Sequence, residues 1–94
     1  MKVSSRSAVK TAEAMVKRLK PGNQLVIVNF KKDRSVCVIR DLEGGLRVVE
    51  AGFRHTSQET DDKAIGSILK EVIPYEFPRS HELGFSVKQI PPLG

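Results

Sequence analysis

The sequence is poor in the residues on which most recognisable chemistry is built. Tryptophan is absent, four phenylalanines and one tyrosine are the only aromatics, and cysteine occurs once, as Cys37. A lone cysteine excludes an intramolecular disulfide and a zinc site made from cysteine pairs. It agrees with a reducing compartment, and the expected location is the cytoplasm. No apolar run approaches the roughly 18 residues of a membrane-spanning helix, so no membrane association is expected. The opening MKVSSRSAVK also lacks the apolar stretch of a secretory signal. Gly44-Gly45 is the only glycine pair, and neither a phosphate-cradling glycine loop nor a GxSxG nucleophile elbow is present.

What remains suits one small folded domain. A chain of 94 residues holds a single core, and charges of mixed sign alongside an ordinary apolar fraction argue against extended disorder. The reading is a single domain over residues 1–94, with 1–4 and 91–94 expected to be flexible. The net charge of +5 is unevenly placed. Lys2, Arg6, Lys10, Lys17, Arg18 and Lys20 face only Glu13 in the first twenty residues, and bases and acids balance over the rest. The chain is therefore neutral with a basic N-terminal element.

Within residues 5–19, Ala8, Val9, Ala12, Met15, Val16 and Leu19 recur at three- and four-residue spacing, which predicts an amphipathic helix. Serines 4, 5 and 7 supply an N-cap, and Pro21-Gly22 ends the pattern. At about 100° per residue, Arg6, Lys10 and Lys17 share one flank away from the apolar stripe, with Glu13 among them. Residues 24–30 and 35–40 read as strands joined by the polar turn KKDR, and DLEGG leads into a third strand over 46–53, with Gly52 marking a bulge. RHTSQET reads as a polar connection. A second helix is predicted over 61–73, capped by Thr60, favoured by Asp61 and Asp62 at its positive end, and stopped by Pro74. Leu83, Phe85 and Val87 alternate as a last strand. The result is an α+β fold of α-β-β-β-α-β order, with two helices and a mostly antiparallel sheet.

The first two strands are apolar at both parities: Leu25 and Ile27 face one way, Val26, Val28 and Phe30 the other. Helices on a single face would leave the second face apolar. Either the helices flank both faces, the C-terminal residues cross the second face, or the chain forms a homo-oligomer. The α-β-β-β-α order resembles the double-stranded RNA-binding domain in topology alone. That family grips phosphates with lysines at the start of its last helix, where this chain has Asp61 and Asp62.

Three functional readings follow. The first is nucleic-acid binding through Arg6, Lys10, Lys17 and Lys20 of the N-terminal helix region, with Lys31, Lys32 and Arg34 of the hairpin turn as a second contact. A row of charges on a helix is also the ordinary appearance of a solvated face. The aromatics sit in or beside apolar runs, so no base-stacking platform is expected.

The second reading is a homo-oligomer or adaptor subunit whose partner is another protein and which has no catalytic activity. The third rests on the loops FRHTS and FPRSHE, where Arg54, His55, Arg79, Ser80 and His81 would suit an anion. The two histidines there would act on a phosphate ester as acid and base, or join Glu76 or Glu82 around a metal. That site requires the loops to meet, yet a helix over 61–73 is about 20 Å long and sets them at opposite ends. PYEFPRSHELGFS, residues 74–86, then reads as a stiff return arm that delivers the last strand to the sheet. Cys37, between Val36 and Val38, is expected to be a buried, inert thiol. No catalytic set, metal or cofactor is expected.

Overall fold

The structure is a computed structural model that describes residues 1–90. Its elements are β1 (Lys2–Ser4), α1 (Ala8–Lys17), β2 (Asn23–Val28), β3 (Ser35–Arg40), β4 (Leu46–Ala51), β5 (His55–Thr60), α2 (Ile65–Glu76) and β6 (Glu82–Gln89). The six strands form one sheet in the order β1-β6-β2-β3-β4-β5, and every neighbouring pair is antiparallel. The α+β architecture with two helices stands, and two strands join the predicted order.

The first addition, β1, falls in residues expected to be flexible. The Met1 amino group donates to the Phe85 carbonyl at 2.9 Å, the Phe85 N–H donates to the Met1 carbonyl at 2.7 Å, and Val3 is buried. Three residues are too few to show a period, and what fixes them is a partner strand some eighty positions away. The expectation for residues 91–94 lies outside the described residues. The second addition, β5, is the stretch HTSQET. It lacks apolar alternation because it is an edge strand that buries neither face, and β-branched threonines and the ladder with β4 hold it extended. Arg47 braces it from β4, donating to the Ser57 hydroxyl and to the Glu59 carboxylate at 3.0 Å each.

One parity of the sheet carries the core. Leu25, Ile27, Val36, Val38, Val48, Leu83 and Phe85 pack against Ala8, Ala12 and Val16 of α1 and Ile65, Leu69, Val72 and Ile73 of α2. Both helices therefore cover the same face. The other parity carries Val26, Val28, Cys37, Ile39 and Val49, all partly exposed. Cys37 is thus not a core residue. Strand alternation turns it away from its buried neighbours Val36 and Val38, although surrounding side chains still desolvate the thiol and raise its pKa. Phe30 lies beyond the end of β2, in the turn, and is exposed.

Both helices differ from expectation at their ends: Ser7 holds the N-cap position of α1, but its side chain makes no capping hydrogen bond. The C-terminus of α1 is met by Arg40, a buried residue of β3, whose guanidinium donates to the Val16 carbonyl and to the Asp62 carboxylate at 2.9 Å each. It donates to the Gly44 carbonyl as well, at 3.0 Å. A cation at this end of a helix is favoured by the helix dipole, and its hydrogen bond holds the Asp62 carboxyl below the usual range.

At the start of α2 the N-cap position is Ala64 and no side chain caps it, so the Thr60 cap is absent; Asp61 instead holds the preceding turn, accepting from the Lys63 and Ala64 N–H groups at 3.0 and 2.8 Å. Pro74 lies inside the last turn and does not stop the helix. It forfeits one backbone bond, but the Phe77 N–H still reaches the Ile73 carbonyl at 2.9 Å, and burial of Ile73, Glu76 and Phe77 carries the helix past it. Gly52, expected at a bulge, instead sits in the turn between β4 and β5.

The topology fixes which segments share an end of the sheet. Because β5 runs the length of the sheet before α2 returns, the turns 29–34 and 52–54, the C-terminus of α2 and the loop 77–81 gather at one end. The connections 18–22, 41–45 and 61–64 gather at the other.

Candidate functional site

Between α1 and α2 the surface opens into a groove of about 550 Å³, lined by Arg6, Val9, Lys10 and Glu13 on one side and Lys63, Gly66, Ser67 and Lys70 on the other. Lys63 and Lys70 are seven residues apart, two turns on one stripe of the chain entering and forming α2. Gly66 leaves room for the Glu13 carboxylate, which lies against it from α1. The four ion pairs among the described residues leave out Arg6, Lys10, Lys63 and Lys70. Glu13 is the one acid in the groove, and its contact is with Lys17 at 3.8 Å. Four cations thus line one concave surface against a single shared carboxylate.

The remaining bases of the expected set are dispersed. Lys17 lies toward the far end of α1, near Asp62. Lys20 precedes β2 and Lys31 and Lys32 follow it, which separates them by about 20 Å along a six-residue strand. Arg34 is committed elsewhere. Its guanidinium carbon lies 4.4 Å from the centre of the Phe53 ring.

That contact belongs to a second cluster, at the hairpin end of the sheet. The Arg54 guanidinium lies over Tyr75 at 4.0 Å, and the Phe53 and Tyr75 rings meet edge to face with centroids 6.2 Å apart. Beneath them lie two buried carboxyls, Glu50 from β4 and Glu76 from α2. Glu76 accepts from the Phe53 N–H at 2.7 Å and the Arg54 N–H at 3.1 Å, and Glu50 accepts from Arg54 Nε at 3.0 Å.

The two carboxyls share a hydrogen bond. Burial, seconded by the hydrogen bond to Glu76, raises the Glu50 pKa. Burial also opposes the charge on Glu76, but the hydrogen bonds from Glu50 and from two backbone N–H groups, with the Arg54 charge, outweigh it and lower that pKa. Of the two, Glu50 is the one that keeps its proton to higher pH and Glu76 the one whose charge is favoured. A Cβ on Gly52 would collide with the Glu76 carboxylate and the stem of Arg34, so glycine is required at that position. This constellation latches the 52–54 turn to the end of α2. It also corrects the distribution of aromatics: Phe30, Phe53 and Tyr75 are 91, 58 and 46% exposed, among Lys31, Lys32, Arg34 and Arg54.

The loops FRHTS and FPRSHE lie at the same end of the sheet and not at opposite ends of α2, because β5 takes up the length of the helix. They still do not converge. His55 opens β5 and His81 precedes β6, and four strand spacings separate those strands, about 19 Å. Arg54 is held by Glu50 and Tyr75. Ser80 lines a cleft of about 350 Å³ with Ser5, Val9, Phe77 and Leu83, and the His81 carbonyl accepts from the Ser5 N–H at 2.9 Å, tying this loop to the start of α1. Arg79 and His81 are exposed. Among the described residues no three His, Cys, Asp or Glu side chains are grouped to hold a metal, and no helix is long and apolar enough to cross a membrane. Comparisons of the chain with protein-family models, with known proteins and with solved structures find no match.

Proposed function

We propose that the protein binds a polyanion, with nucleic acid as its ligand and the phosphate backbone lying along the groove between α1 and α2. The observation that carries this reading is the convergence of Arg6 and Lys10 with Lys63 and Lys70 on one concave surface without carboxylate partners. Cations in that state exchange hydration and counterions for phosphate contacts, and the released counterions drive association. The groove has no aromatic lining and offers no rigid fork of donors to base edges, so recognition is of charge and shape rather than sequence. Lys17 extends the row along α1. Lys31 and Lys32 stand apart as a separate contact.

Fluorescence anisotropy with labelled duplex DNA, duplex RNA and single strands over a salt series tests the reading. Four phosphate contacts predict a slope of log affinity against log salt of about −3 to −4. Reversing two charges, Lys10→Glu with Lys70→Glu, removes binding to all of these probes and leaves the unfolding midpoint in place. Affinity that survives the double reversal, or that ignores salt, overturns the assignment.

A further inference from the structure

The sheet face opposite the helices is built for contact. An antiparallel sheet with one covered face ordinarily turns polar residues to water on the other, yet here Val26, Cys37 and Val49 lie side by side across three strands. Ile39 and Val28 extend this apolar centre, and all five are partly exposed. The next positions outward along the row of Val26, Cys37 and Val49 are small, Ser86 on β6 and Ser57 on β5. The charges of this face lie in one row: Lys88 beside Gln24 at one margin and Glu59 at the other, with Arg47 between Glu59 and Ile39 and paired to Glu59 at 3.0 Å.

We propose that this face binds a second copy of the chain, sheet against sheet, about a two-fold axis running along β3. Symmetry and charge select that occupant. Among the five long strands β3 is the middle one, so rotation about it lays β2 on the second copy's β4 and β6 on its β5. Val26 then meets the second copy's Val49, Cys37 and Ile39 each meet their own counterpart near the axis, and Lys88 faces Glu59 at both margins. A two-fold axis across the strands would instead set Ile39 on Ser35 and Val28 on Gln24, pairing apolar with polar. Strands aligned to within about 30° are the usual packing of two such sheets, and an isologous contact of this kind closes at two chains.

The face measures roughly 20 by 24 Å from strand length and spacing. Its flat area, on the order of 500 Å², falls below the roughly 800 Å² per partner of a standard interface. The association is accordingly a modest one, in the micromolar range. It leaves the helix groove of each copy on the outside and does not depend on what that groove binds.

Sedimentation of the full chain at high micromolar concentration is expected to give twice the 10.4 kDa of one chain, and a short bis-maleimide is expected to join two copies through Cys37. Val49→Lys, on the uncovered face, reduces the mass to one chain while circular dichroism and the unfolding midpoint stay in place. Should that variant unfold, Lys88 decides: Lys88→Glu weakens the dimer by roughly fivefold and Lys88→Arg leaves it unchanged, and a dimer indifferent to Lys88→Glu overturns the proposal. A single-chain mass at every concentration overturns the proposal. So does a dimer that withstands Val49→Lys, which would place the contact on another surface.

Discussion

In the groove, Arg6, Lys10, Lys63 and Lys70 stand without carboxylate partners among the described residues. At the hairpin end Arg34 and Arg54 are each laid over a ring, and Arg54 is tied to a buried glutamate as well. The two regions draw on the same residue type for opposite purposes. An arginine over an aromatic, with a carboxylate beneath, has its charge compensated and its rotamers fixed, so it joins turn 52–54 to α2 and projects little field. The groove cations have their compensation still to find. What separates a structural base from a binding one here is the number of partners already satisfied, and charge counting along the sequence is blind to that.

The largest effect is expected where the latch is broken. Glu76→Ala removes the acceptor of two backbone N–H groups and the partner of Glu50, all in a buried setting, and is expected to cost about 3–5 kcal/mol in urea unfolding. Where that variant is folded, its nucleic-acid affinity should equal that of the parent. Lost affinity in the folded fraction would mean that the two regions are not separate.

A smaller effect distinguishes the two carboxyls. Glu50 keeps its proton to higher pH in the folded state than its ordinary value of 4.5, so above 4.5 the folded chain binds more protons than the unfolded one and stability falls as pH rises through that window. Glu76, held below its ordinary 4.5, does the reverse: stability falls as pH drops through the window beneath 4.5, and Asp62 adds to that limb. The latch is therefore strongest near pH 4.5. Glu50→Gln still donates to Glu76 but does not titrate, so unfolding measured across pH should lose the upper limb and keep the acid one. An unchanged upper limb would assign the fall to other groups.

The smallest stability effect belongs to the groove. Lys70→Ala should stay within about 0.5 kcal/mol of the parent while lowering the salt slope of binding by about 0.7–0.9. A larger loss of stability would show that this lysine is structural like Arg54.

Much of this was legible in the sequence and some was not, for physical reasons. The spacing of Ala8, Ala12 and Val16 on one helix and of Ile65, Leu69 and Val72 on the other marks their buried faces, and the double parity of β2 and β3 marks a second apolar sheet face, which neither helix covers. The short β1 and the polar β5 are strands only because a partner pairs with them, and no local pattern carries that information. Missing β5 reversed the inferred placement of the loops around α2. Lys63 and Lys70 were visible as a two-turn repeat, but their value as a pair comes from lying across a groove from Arg6 and Lys10, a tertiary fact. The Glu50–Glu76 pair joins positions 26 apart with no motif to announce it.

The place of β6 between β1 and β2 bears on how the chain reaches this state. Met1 pairs with Phe85 across 84 positions, so β1 and β2, close neighbours in sequence, remain unjoined until β6 is available. Contacts of that separation form late and slowly. During synthesis the facing edges of β1 and β2 stay open until the last strand emerges. The strand that closes the sheet is the one that follows α2, and a chain cut short before residue 82 would lack the strand that joins its N-terminal segment to the other strands.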